Sequence, residues 1–110
     1  MQKILTMEIR IFDRELEKFI QSLEKSTIAK ALRTVDLLKI FGSRLGMPHS
    51  KKVADRLFEL RIRGSQEVRI FYTFNEKSIV LLCGFVKKSD KIPRKEINIA
   101  INKLRLLDTV

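Results

Sequence analysis

With a single cysteine the chain cannot close an internal disulfide, so it is expected to hold together by packing in a reducing, cytoplasmic setting. No apolar run approaches the roughly 20 residues of a membrane-spanning helix. The start, MQKILTMEIR, has a basic Lys3 but no apolar core or small-residue cleavage site, which predicts no signal peptide. Blocks of contiguous Lys and Arg, as in disordered basic arms, are missing, so folded elements must carry the positive charge. One histidine, one cysteine and no clustered carboxylates offer no metal-ligand set, and neither a metal nor another cofactor is expected. Repeats, linkers and low-complexity stretches are also missing. At 110 residues the chain reads as one domain, 1–110.

What is there is a globular composition, 45% hydrophobic and 33% charged, with a net charge of +10. Such an excess favours an anionic partner. Period-two alternation from Lys3 to Ile11 predicts a first strand. Asp13 is placed to cap a helix carrying Leu16, Phe19, Ile20 and Leu23 on one face. A second helix starts at Ser26 or Thr27, and its apolar stripe runs through Ile28, Ala31, Leu32, Val35, Leu38 and Phe41 to Gly42. Gly42 to Lys52 reads as a loop. Strands follow at Leu57–Arg63, Val68–Phe74 and Ile79–Val86. A last helix begins near Pro93, with Ile97, Ala100, Ile101 and Leu104 at helical spacing. The order β-α-α-β-β-β-α predicts an α+β domain: a helical hairpin on a mainly antiparallel sheet of about four strands, plus a C-terminal helix.

The segment RLFELRIRGSQEVRIFYTF, Arg56 to Phe74, lines one face of a predicted hairpin with arginine. A one-residue slip moves every side chain to the opposite face, so the register should be the one that sorts apolar from polar. Pairing Arg63 with Arg69 sets Ile62 opposite Ile70, Leu60 opposite Tyr72 and Phe58 opposite Phe74. The other face then carries Glu59, Arg61, Arg63, Arg69, Phe71 and Thr73. Pairing Arg63 with Val68 instead mixes arginines into the apolar face, at roughly several kcal/mol per unpaired buried charge. After the turn at Asn75–Ser78, Ile79 falls opposite Phe74, and Leu81, Cys83 and Phe85 join the apolar face. Gly84 is left beside Arg69 as an open floor for a substrate, with Lys88 leaving on the same side. Arginines facing one another repel. Glu59 neutralises one, and the others are expected to hold an anion, since a guanidinium fork matches phosphate bidentately. The plainer alternative is a solvated face that protects the sheet edge.

Taken in order and spacing, LGMPHSKKV, LFELRIRG, VRIFYTF and IVLLCGFVKKSDKIPRKEINIA resemble the HigB-like, phage-derived branch of the RelE toxin superfamily, over about Phe19 to Leu104. The resemblance implies a RelE-like fold and the toxin of a type II toxin–antitoxin system. It implies a ribosome-dependent mRNA endonuclease, an mRNA interferase, that inhibits translation in the ribosomal A site. The implied partner is a HigA-like helix-turn-helix antitoxin, which blocks the toxin and represses the operon. In this sequence Cys83 stands where many relatives read His in LLHGF, and it is expected to be a buried structural thiol. Ile92 stands where relatives carry a capping Thr, so the last helix loses a cap worth about 1 kcal/mol.

Metal-independent RNA cleavage by 2′-OH attack on the phosphodiester needs charge stabilisation at phosphorus and proton transfer at two oxygens. Arg61 and Arg69 are the catalytic candidates for the charge. Lys87 and His49 are the candidates for the proton, imidazole being the group that titrates near neutrality, with Lys51 as an alternative to Lys87. Candidates for RNA binding are Lys51, Lys52, Arg63, Gly84 and Lys88, with Phe71 to stack on a base. Arg94 and Lys95 add charge at the start of the last helix, whose amides favour phosphate. Tyr72 is read as core. The competing function is a non-catalytic RNA- or ribosome-binding module of the same fold. A DNA-binding regulator is disfavoured because no helix-turn-helix signature is present, and membrane binding because the helices' polar faces mix both charge signs.

Overall fold

The computed structural model of the protein describes residues 6–109. In chain order the elements are β1 (Glu8–Ile11), α1 (Arg14–Gln21), α2 (Lys25–Phe41), β2 (Ser50–Ala54), β3 (Leu57–Ile62), β4 (Val68–Asn75), β5 (Ser78–Val86) and α3 (Arg94–Asp108). A short 3₁₀ turn, Gly42–Arg44, follows α2. The fold is α+β, as the sequence predicts. Its one five-stranded sheet runs β1-β5-β4-β3-β2 and is antiparallel except where β1 lies parallel to β5.

The expected first strand is confirmed from Glu8 onward, and its predicted beginning, residues 3–5, lies outside the described residues. The fifth strand, β2, occupies the end of the predicted loop. Its Ser-Lys-Lys start carries no apolar alternation, because an edge strand needs only backbone partners on one side, and lysines there discourage further pairing.

Local chemistry accounts for the helical hairpin. Asp13 caps α1, its Oδ1 accepting from the Leu16 amide at 3.0 Å. Its Oδ2 also pairs with Lys103 of α3 at 2.9 Å. The second helix starts slightly earlier than predicted, with Glu24 at the N-cap. Gly42 ends it at φ +55°, a conformation that favours glycine. The buried stripe of α2 is Thr27, Ala31, Thr34 and Leu38, so small residues let the helix lie close on the sheet. Leu32 and Phe41, expected in that stripe, are exposed instead.

Both sheet faces are covered. The hairpin side buries Leu16, Leu38, Leu60, Ile62, Ile70, Tyr72, Ile79 and Leu81. On the other side α3 covers Leu57, Phe71, Val80, Leu82, Cys83 and Phe85. Burial of this apolar area, at about 25 cal/mol per Å², is the main driving force for both layers.

Register decides which residues share these faces. β3 and β4 pair Phe58 with Tyr72, Leu60 with Ile70, Arg61 with Arg69 and Ile62 with Val68. The hairpin is therefore displaced by two residues from the expected pairing, with Arg63–Glu67 as its loop. A two-residue shift preserves faces, so the sorting of arginine from Leu60, Ile62 and Tyr72 holds. Beyond Leu81 the expectation fails. Tyr72 pairs with Leu81 but Phe71 pairs with Cys83, which makes Leu82 the extra residue of a β-bulge. The Leu82 carbonyl accepts from Lys103 Nζ at 3.2 Å. Past the bulge every side chain changes face: Cys83 and Phe85 go beneath α3, and Gly84 turns to the hairpin.

Gly84 is thus no open floor. A Cβ there would lie 2.8 Å from the Phe19 ring and 3.2 Å from the Arg69 carbonyl oxygen. Gly84→Ala should destabilise the protein by about 1–3 kcal/mol through overpacking. Urea unfolding would register this as a lowered midpoint with an unchanged slope.

Candidate functional site

The site grows from the β3–β4 pairing. Arg61 and Arg69 are direct cross-strand neighbours, and Glu59 lies two positions before Arg61 on the same side of β3. Glu59 Oε1 sits 3.4 Å from Arg61 Nε and 3.5 Å from Arg69 Nε. One carboxylate oxygen therefore serves two guanidinium groups at ion-pairing distance. Its second oxygen, Oε2, is buried without a hydrogen-bond partner, as are both arginine Nε atoms. Arg69, 1% exposed, donates from Nη1 to Glu67 Oε2 at 3.2 Å and to the Val68 carbonyl at 3.0 Å. Arg61 is less buried and donates from Nη1 to Met47 Sδ at 3.4 Å.

Around this cluster open two adjoining clefts. The narrower, about 120 Å³, is lined by Lys51, Glu59, Arg61, Arg69, Lys87 and Ile92 among others. Lys51 reaches it because β2 pairs it with Glu59. The wider, about 330 Å³, is lined by Arg63, Glu67, Arg69, Lys87, Lys88 and Asp90. Arg69, Lys87 and Asp90 belong to both, so the clefts form one basic track along the end of the sheet. The Lys87 amide donates to the Glu67 carbonyl at 2.7 Å, which ties the exit of β5 to the β3–β4 loop. Six cations line the track (Lys51, Arg61, Arg63, Arg69, Lys87, Lys88) against three carboxylates (Glu59, Glu67, Asp90). Such a track attracts anions and holds several guanidinium and ammonium donors for them.

Of the residues expected at a site, Arg61, Arg69, Lys87, Lys51, Arg63 and Lys88 come together here. Arg94 and Lys95 are exposed on the first turn of α3, just beyond Ile92, and Pro93 precedes them with no side-chain cap. Four expectations are corrected. Phe71 lies on the arginine side but is fully buried, stacked on Phe85 with ring centroids 5.8 Å apart, so no base reaches it. Gly84 faces Phe19, as described above. Lys52 pairs with Phe58 and so shares the hairpin side of the sheet. His49 lends its carbonyl to the Arg61 amide at 2.8 Å, but it lines a separate groove with Arg33, Thr34 and Leu37 of α2.

Two site carboxylates escaped the sequence reading. Glu67 lies two residues before Arg69, and that spacing alone sets both on one side of a strand. Asp90 sits in a segment with no periodicity, which carries no such signal. Cys83 is buried beneath α3, where desolvation pushes its thiol up to about 12. Burial likewise raises Tyr72, whose hydroxyl is hydrogen-bonded to Ser50 Oγ. Among the described residues no group of three or more His, Cys, Asp and Glu converges as a metal site, and no helix is long and apolar enough to cross a membrane.

The class defined by this geometry is an α+β domain with a basic track at one end of a mixed sheet. Residues 18–105 match the family described as Phage derived protein Gp49-like (DUF891), and the chain belongs to that family. No curated protein sequence matches. Among solved structures, a chain of the toxin–antitoxin complex RelBE2 from Mycobacterium tuberculosis aligns at 16% identity and a TM-score of 0.49, covering 81% of this chain and 100% of that one.

The buried thiol yields a pH prediction. Cys83 releases its proton more readily when unfolded, near the ordinary thiol value of 9.0, than when folded, at about 12. Above pH 9 the unfolded state therefore binds fewer protons, and stability falls as pH rises, by up to about 1.4 kcal/mol per unit. Urea melts between pH 8 and 11 should show this decline, and Cys83→Ala should flatten it, leaving the part due to Tyr72.

Proposed function

We propose that this protein is the toxin of a type II toxin–antitoxin pair and acts as a metal-independent mRNA endonuclease on the ribosome, in the cytoplasm. The observation that carries this reading is the Arg61–Arg69 pair, set side by side over Glu59 and opening with Lys51 and Lys87 into a narrow basic cleft. Family membership and the resemblance of the strand segments to HigB-like toxins support it. In the proposed step, the ribose 2′-oxygen attacks the adjacent phosphorus. The P–O2′ bond forms, the P–O5′ bond breaks, and a cyclic phosphate and a 5′-hydroxyl result. Arg61, with Lys87 and Lys51, would neutralise the charge that builds on the phosphorane oxygens. Arg69 is fenced by Glu59 and Glu67, and it would contribute its field and hold Arg61 in place.

Proton transfer is assigned to the Lys87 amine, which lines both clefts: it takes the 2′-hydroxyl proton as the P–O2′ bond forms and delivers it to O5′ as the P–O5′ bond breaks. A HigA-like antitoxin would silence the toxin by occupying or distorting the track. One observation favours the competing reading of a non-catalytic RNA-binding module. The imidazole of His49 and the thiol of Cys83 both lie away from the cleft, which leaves the lysines and the carboxylates of Glu59 and Asp90 as its proton-carrying groups.

The test is induced expression with mapping of mRNA 5′ ends. Wild type should arrest growth and create new 5′-hydroxyl ends within translated codons. Arg61→Ala should reduce cleavage by about 10²–10³-fold, the loss typical of one oxyanion-stabilising donor. Wild type that binds ribosomes but creates no ends would establish the binding module instead.

A further inference from the structure

The two carboxylates that touch Arg69 are held differently. The Glu59 side chain is 4% exposed, with Oε1 wedged between the Nε atoms of Arg61 and Arg69. It cannot leave without stranding two guanidinium groups, one of them fully buried. The Glu67 side chain is 41% exposed. Its Oε2 lies 3.2 Å from Arg69 Nη1 and 3.9 Å from Nε of Arg63, which is itself exposed. Ion pairs open to water in this way are weak, because solvent screens them and both side chains lose freedom in making them. The backbone of Glu67 is fixed, since its carbonyl accepts from the Lys87 amide at 2.7 Å and β4 starts at the next residue. Only the side chain is free to swing.

That side chain stands in the wider cleft of the track, among Arg63, Arg69, Lys87 and Lys88. A carboxylate and a phosphate present similar acceptor oxygens to a guanidinium fork, so the two compete for the same donors. We propose that Glu67 is a built-in counter-anion of the track, which an RNA phosphate displaces. The phosphodiester takes the place of the carboxylate on Arg63 and beside Lys88, and the departure of Glu67 uncovers Nη1 of Arg69. This inference rests on the reading of the track as an RNA surface, and it adds the residue that sets how tightly that surface binds. Without a strand, Glu67 holds the wider cleft at four cations against two carboxylates, Glu67 and Asp90. With a strand, the ion pair that holds Glu67 is exchanged for one to the backbone, and its negative charge moves out toward water. Part of the binding energy of the strand is spent on that exchange.

Binding of a short 2′-O-methyl single-stranded RNA, which lacks the attacking hydroxyl and cannot be cleaved, to the full chain is the test. Glu67→Gln keeps the shape of the side chain and an acceptor for Arg69 but removes the charge. It should tighten binding several-fold and speed association. It should also steepen the log–log salt slope by about 0.7, the equivalent of one further phosphate contact. Glu76→Gln, in the turn at the opposite end of β4, removes the same formal charge and should leave affinity and slope unchanged. Carbon-13 NMR of the side-chain carboxyl groups reads the displacement itself. The Glu67 resonance, identified by its loss in Glu67→Gln, should shift toward that of a solvated carboxylate when RNA is added. A merely structural ion pair predicts the opposite: a lowered urea midpoint for Glu67→Gln, with RNA affinity and the Glu67 resonance of wild type unmoved by the change or the strand. That result overturns the proposal. If Arg63→Ala weakens RNA binding while Glu67→Gln does not tighten it, the proposal falls and the RNA reading of the track stands. Wild type that fails to bind the RNA at low salt overturns both.

Discussion

Two arginines set directly opposite each other on neighbouring strands repel, and a sheet that carries such a pair needs something to hold it together. Here that is Glu59, one oxygen of which lies within 3.5 Å of both guanidinium groups. Glu67 then closes on Arg69 from the loop side, so the most buried cation is flanked by two carboxylates. The arrangement is lopsided by design of the strand order. Arg69, on central β4, is sealed. Arg61, one strand nearer the β2 edge, keeps part of its fork turned to the cleft. Buried pairs of this sort add little net stability over an apolar core, but removing one partner is costly, roughly 3–5 kcal/mol. What the cluster supplies is a fixed position for positive charge.

The sheet had to find room for that cluster while burying two apolar faces. α3 crosses the β4–β5 half and leaves the β2–β3–β4 corner open, so the arginine side is half core and half cleft. The bulge at Leu82 makes this division work. It brings Cys83 and Phe85 under α3 beside Phe71, and it turns Gly84 toward Phe19, where a bare backbone lets α1 approach closely. Lys103 fixes the bulge from α3 and reaches Asp13 at the α1 cap, so one lysine links both layers.

Much of this was legible in the sequence where a periodicity ran unbroken. The alternation in Phe58–Ile62 and Val68–Phe74 sorts the arginines onto one face in either of two registers that differ by two residues, so the face was readable and the pairing was not. The Asp13 cap and the Gly42 stop were readable because each rests on local backbone chemistry. The bulge was not, because Leu81, Leu82 and Cys83 are all apolar, and an apolar run gives no hint of which residue is extra. Every error about Gly84, Phe71 and Phe85 descends from this point or from the cover that α3 provides. β2 was missed because its lysines mark a solvent edge, and His49 because a loop residue carries no facing information.

The most direct measurement of the central interaction is a double-mutant cycle on urea unfolding with Glu59→Ala, Arg69→Ala and the pair. A shared buried carboxylate predicts a coupling of about 1–3 kcal/mol between the two positions, the range found for residues in one ionic network. Additivity within about 0.5 kcal/mol would contradict it, and the two arginines would then need some other counter-charge to stand side by side.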